Sequence, residues 1–211
     1  LGEDANNVTW NKFKDVMPEL QGGLVFNAHR DLTALPFINL KVEKNTKSFK
    51  SCRLLAMFLG SINGRSPRQK IFSLFRNNSD FLLGTAFGKE YQRSFQISKF
   101  CLIIRGYVTS TLRFSEAFLY SCIPVIISDG YVPPFSSSID WSSFSIFIPE
   151  RDIIEIPRIL GSITEEEWDR MNINLQKVRK HFLYNNPPER GDAFHMVLYE
   201  IWKKTYKLKN W

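Results

Sequence analysis

Five short apolar runs constrain the fold of this chain most strongly. They are Arg53–Leu59 (RLLAMFL), Phe81–Leu83, Phe100–Ile104 (FCLII), Ile123–Ile127 (IPVII) and Phe144–Ile148 (FSIFI). None alternates cleanly between apolar and polar residues. A strand with one wet face alternates, whereas a strand covered on both faces, as in a parallel sheet, reads as a continuous apolar run. Parallel strands need crossovers, and helical spacing supplies them. Pro67–Arg76 (PRQKIFSLFR) puts Ile71, Leu74 and Phe75 on one face and opens with a proline, which suits a first helical turn. Thr111–Cys122 puts Phe114, Ala117, Phe118 and Ser121 on one face. The order strand, helix, strand, helix predicts an α/β fold built on a doubly wound, mostly parallel sheet.

The pattern changes after Pro149. Asp152–Leu160 reads as a helix broken by Pro157. Thr164–Phe182 reads as a longer helix, with Thr164 as N-cap and Glu167 as its capping-box partner. Asn185-Asn186-Pro187-Pro188 is a break. Asp192–Lys207 then forms a last amphipathic helix carrying Phe194, Val197, Leu198, Ile201 and Trp202. The segment before about Asp31 is too short for a domain of its own.

With 211 residues, 44% hydrophobic and 23% charged, the chain has an ordinary globular composition. No apolar run is long enough to span a membrane. The first residue is Leu, and any leader or anchor would lie upstream. The net charge of +7 suits an anionic partner or a solvated basic face, and the last nine residues, KKTYKLKNW, hold four lysines and no acid. Sequons occur at Asn7 and Asn77. The three cysteines, Cys52, Cys101 and Cys122, are too few and odd in number for a full disulfide framework. Cys101 and Cys122 lie in apolar surroundings and read as small buried hydrophobes. His29, His181 and His195 show no zinc-ligand spacing with them, so no metal site is expected.

Ligands of doubly wound sheets bind beyond the carboxyl ends of the strands. Three loops sit there: Gly60 to Arg65, Arg105 to Ser110, and Ser128-Asp129-Gly130. Glycines let backbone approach a ligand, and Arg65, Arg68, Arg105 and Arg113 flank the loops, which suits a diphosphate. With Ser110 or Thr111 as cap, Arg113 falls in the first turn of its helix. Glu116 is not at a capping-box position, and a carboxylate there can accept both hydroxyls of a ribose diol. The alternative for Arg113 and Glu116 is an exposed i, i+3 ion pair. The first loop is neither GxGxxG nor a Walker A loop, which disfavours phosphoryl transfer from ATP.

These residues resemble a known family. SKFCLIIRGYVTSTLRFSEAFLYSCIPVIISDGYVPPFSSSIDW is similar to the exostosin-like glycosyltransferases, GT47, through Ser98–Leu102, Arg105-Gly106, Ser110, Arg113, Glu116-Ala117, Cys122–Asp129, Pro134-Phe135 and Asp140-Trp141. Weaker similarity extends over about Asp31 to Lys204. The resemblance implies the Rossmann-like, donor-binding C-terminal half of a GT-B fold. Residues 1–30 are then a reduced acceptor-side segment, 31–188 the donor-binding domain, and 189–211 a crossing helix with a basic tail. In that helix Trp202, Tyr206 and Trp211 form either an exposed docking surface or, the preferred reading, a core edge.

The resemblance further implies an inverting transfer from a UDP-sugar to a hydroxyl of an oligosaccharide or polysaccharide, with no cofactor beyond the donor. Arg105, Ser110 and Arg113 would meet the diphosphate and Glu116 the ribose. Gly60 with Arg65 or Arg68 would line the other side, and Gly106, Thr111 and Ser128 complete the loops. No Asp-x-Asp occurs, so arginines and a helix N-terminus are expected in place of a metal. Candidates for the base are Asp129, Asp31 and His29, with Glu3 and Asp4 also in view, and Asp129 is read first as a cap. Two other readings stand beside this one. One is a non-catalytic nucleotide-sugar-binding half that needs a partner chain or oligomer. The other is a basic nucleic-acid module, disfavoured because the loop arginines alternate with glycines rather than stacking aromatics. The compartment stays open: Golgi lumen with an upstream anchor, or cytoplasm for a viral or bacterial enzyme.

Overall fold

The computed structural model describes residues 31–37, 47–62, 67–85, 88–106 and 112–209, the side chains of 207–209 excepted. Five strands form one sheet: β1 (Leu54–Leu59), β2 (Phe81–Gly84), β3 (Ser98–Ile104), β4 (Ile123–Ile127) and β5 (Ile146–Phe147). Their order is β2-β1-β3-β4-β5 and every pairing is parallel. The connecting helices are α1 (Pro67–Phe75), α2 (Gly88–Ile97) and α3 (Arg113–Leu119). After β5 come α4 (Ile156–Gly161), α5 (Glu165–Val178) and α6 (Ala193–Lys209).

The apolar runs are covered on both faces, as continuous apolar strands require. Ala56, Phe58, Phe100, Leu102, Ile104, Val125 and Ile127 meet Ile71 and Phe75 of α1 and Trp168 of α5 on one face. Met57, Leu59, Cys101, Ile103 and Ile126 meet Phe95 of α2 and Phe114, Ala117 and Phe118 of α3 on the other. The second face ends in an aromatic cluster. Phe118 stacks on Phe182 at 4.4 Å, and Trp141 meets Phe114, Phe118 and Phe182 edge-on. Trp141 is placed by Asp140, whose carboxylate accepts the N–H of Ser142 at 3.0 Å, and its indole N–H donates to Pro134 O.

Several elements differ from the sequence reading. α2 carries no signal that the periodicity picked out, because only Ser94 and Phe95 of its ten residues are fully buried. Helix type changes next to Pro157: a 3-10 segment, Glu150–Glu155, gives way to α4, where Pro157 sits in the first turn and its missing N–H is harmless. The fifth run pairs over only Ile146 and Phe147. Thr164 and Glu167 do form the capping box of α5. Cys101 and Cys122 are buried as expected but are joined by a disulfide, not separate thiols. Cys122 directly precedes β4, and the parallel register sets Cys101 opposite Pro124, which makes Cys122 its diagonal neighbour, a proximity that spacing in the chain does not reveal. Cys52 is the free cysteine. On α6, Trp202 and Tyr206 are 59% and 60% exposed, and Phe194, Leu198 and Ile201 are exposed as well, which overturns the core-edge reading. Trp211 lies outside the described residues.

Candidate functional site

The order β2-β1-β3-β4-β5 reverses direction between β1 and β3. The chain leaves β1 toward one edge through α1 and leaves β3 toward the other through α3. The connections leaving their carboxyl ends therefore run apart, and sheets of this order bind ligands in the crevice formed at that point.

Two arginines cross this crevice in opposite directions. Arg68, on the helix that follows β1, donates from Nη2 to Ile104 O at the end of β3 (3.2 Å) and from Nη1 to Ser61 O (3.0 Å). Arg113, on the helix that follows β3, donates from Nε and Nη2 to Leu59 O at the end of β1 (3.2 and 3.1 Å). Each guanidinium passes over a glycine. A Cβ on Gly106 would lie 2.5 Å from Arg68 Nη2, and one on Gly60 would lie 1.8 Å from Arg113 Nη2. Both cations also lie over the ring of Phe58, with Cζ 5.3 and 4.9 Å from its centroid. Burial, and then the like charge of Arg113, lower the pKa of Arg68. Two cations held this close favour an anion between or above them. Arg68 Nε and Ser128 Oγ, at the same end of the sheet, are buried with no hydrogen-bond partner.

Glu116 lies one turn beyond Arg113 on α3, half-buried. Its Oε2 accepts the hydroxyl of Tyr91, on α2, at 2.5 Å. A small cavity lies under this group, with Tyr91, Arg113, Phe58, Leu59 and Ile103 in its wall. α3 opens at Arg113 with Leu112 in the cap position and no side-chain cap, so the expected caps Ser110 and Thr111 do not occupy that position. Ser110, Thr111, Arg65, His29, Glu3 and Asp4 lie outside the described residues.

Arg105 is placed differently from the expectation. It forms a two-bond ion pair with Glu150, Nε to Oε1 at 2.8 Å and Nη2 to Oε2 at 3.0 Å. Glu150 Oε1 also accepts the N–H of Asp129 at 3.2 Å, and Asp129 Oδ1 accepts the N–H of Glu150 at 3.1 Å. Arg105 is thus a strut that ties the ends of β3 and β4 to the chain after β5. Asp129 is a cap, though of the turn that Glu150 begins and not of the next turn in sequence. Asp31 is held against α6, where its carbonyl accepts from Lys204 Nζ at 2.6 Å. Sequence reasoning missed Tyr91 and Glu150. Tyr91 sits on the helix that periodicity did not reveal, and Glu150 is one acid in the run Glu-Arg-Asp, with nothing local to set it apart. Among the described residues no three His, Cys, Asp or Glu side chains cluster as a metal site would require. No described helix is long and apolar enough to cross a membrane.

The fold is that of a doubly wound α/β protein, Rossmann-like and consistent with one half of a GT-B fold. The chain belongs to the exostosin family: the Exostosin GT47 domain matches residues 25–163. It is 34% identical over 192 residues to a probable glycosyltransferase of Arabidopsis thaliana, covering 87% of this chain and 37% of that protein. A second probable glycosyltransferase of the same plant is 33% identical over 222 residues, 99% of this chain and 45% of the relative. The probable beta-1,4-xylosyltransferase IRX10 of Arabidopsis thaliana is 33% identical over 147 residues, 69% of this chain and 36% of the relative. The chain spans between a third and a half of the length of these relatives.

Proposed function

We propose that this chain forms the donor half of an inverting glycosyltransferase that moves a sugar from a UDP-sugar to a hydroxyl of a glycan acceptor. The observation that carries the reading is the reciprocal crossing of Arg68 and Arg113 over Gly106 and Gly60, with Glu116 beside it. In this reading the two guanidiniums hold the diphosphate and stabilise it as a leaving group, and Glu116 receives the ribose diol. Fixed cations then take the part a metal plays elsewhere, and a chelator that stopped transfer would overturn that feature.

Asp129 is engaged at Glu150, so the base that takes the acceptor proton is sought on other residues. That engagement also favours the second reading, a nucleotide-sugar-binding half completed by another chain. Turnover by this chain alone separates the two.

The first test is thermal unfolding with UDP, GDP, CMP, ADP and UDP-sugars. UDP-xylose comes first, after the xylosyltransferase named among the relatives, with UDP-glucuronic acid beside it, because a further relative, of Oryza sativa subsp. japonica, is named a probable glucuronosyltransferase. A ligand at about 100 times its Kd adds ~2.7 kcal/mol, or about 5–10 °C for a domain of this size. A UDP shift that Glu116→Ala removes supports the donor site. No shift with any nucleotide overturns it.

A further inference from the structure

Tyr91 is on a helix that no motif marked, yet it makes the one side-chain hydrogen bond to Glu116 among the described residues. Its ring is fixed by packing: Phe95 meets it edge-on at 5.2 Å, and Phe95 stacks on Tyr120 at 5.0 Å. Burial, and then the bond and charge of Glu116, raise the Tyr91 pKa, so the phenol keeps its proton and the bond runs from Tyr91 to Glu116. The last torsion of a glutamate is soft, and an unheld carboxylate turns freely about it. With Oε2 claimed by a rigid phenol, Oε1 keeps one orientation, and it takes no hydrogen bond from the described residues. A ribose diol, with two neighbouring O–H donors, requires an acceptor held in one plane.

We propose that Tyr91 is a positioning residue of this site: by fixing the plane of the Glu116 carboxylate, it sets the preference for ribonucleotides over deoxyribonucleotides. The inference rests on the donor-site reading above. The experiment compares UDP with 2′-deoxy-UDP by titration calorimetry on the full chain, as wild type, Tyr91→Phe and Glu116→Gln. Wild type is expected to prefer UDP. Tyr91→Phe keeps the ring and its packing and loses only the donor, and the preference is expected to fall about 2- to 10-fold, the effect of one net hydrogen bond. Glu116→Gln is expected to lose it further.

An unchanged preference in Tyr91→Phe, alongside a reduced one in Glu116→Gln, overturns the role of Tyr91 and leaves the donor site standing. Equal weakening of both nucleotides in Tyr91→Phe also overturns it, because that marks a purely structural residue. Failure of UDP to bind wild type overturns the donor-site reading, and the role of Tyr91 with it. If Tyr91→Phe does not fold, Tyr91→Met fills the same space without a donor and reads out the same ratio.

Discussion

Two kinds of arginine stand at the same end of this sheet. Arg68 and Arg113 rest on backbone carbonyls, over glycines and one phenylalanine ring, at the point where the chain reverses direction. Arg105, a few residues away, meets a carboxylate in two parallel bonds, and the pair is largely shielded, with 23% and 16% of the side chains exposed. A carbonyl orients a guanidinium without cancelling its charge. A carboxylate neutralises it, and what remains is a brace between loops. Residue type and the end of the sheet are alike in the two cases. What separates them is the Glu150 carboxylate, which the fold brings to Arg105 from 45 residues away.

The comparison can be broken most sharply by removing both crossing arginines. Arg68→Met with Arg113→Met takes away two charge-assisted contacts worth roughly 1.5–3 kcal/mol each. Binding of UDP is expected to fall at least 100-fold, to the point where the thermal shift disappears. Retained binding would mean that the anion site lies elsewhere. Arg105→Met is expected to do the opposite. Glu150 is left with a shielded charge and only the Asp129 N–H as donor, which costs about 2 kcal/mol of stability. The unfolding temperature drops by about 4–8 °C while the Kd for UDP stays within about twofold. A loss of affinity matching that of the double variant would erase the distinction and return Arg105 to the phosphate.

Gly60→Ala gives the smallest effect and the finest discrimination. The three atoms nearest the added methyl all belong to the far end of the Arg113 side chain, which shifts more readily than backbone. Stability is expected to change by less than about 0.5 kcal/mol, whereas UDP affinity falls about 3- to 10-fold through one displaced contact. Melting curves and calorimetric titrations on the same sample measure both. A large loss of stability would show that the glycine serves the β1 turn and not the arginine.

The strands and the parallel sheet were legible along the chain because each is written locally. Continuous apolar runs mean two covered faces, and turn residues mark strand ends. α2 was not legible, since a helix that buries only one edge leaves too faint a period, and Tyr91 was lost with it. The outer face of α6 misled for a related reason. An amphipathic pattern tells which residues are apolar but not whether anything covers them, and Trp202 and Tyr206 stand exposed.

The sequence by itself determined the class of fold, because hydrophobic periodicity and turn chemistry act over a few residues. Only the tertiary structure decided that Arg105 meets Glu150, that Asp129 caps the turn at Glu150, that Tyr91 bonds to Glu116, and that Cys101 and Cys122 are bonded. Those outcomes depend on residues 21 to 45 positions apart meeting across neighbouring elements. Strand order and register set such meetings, and neither is encoded in a local stretch of chain.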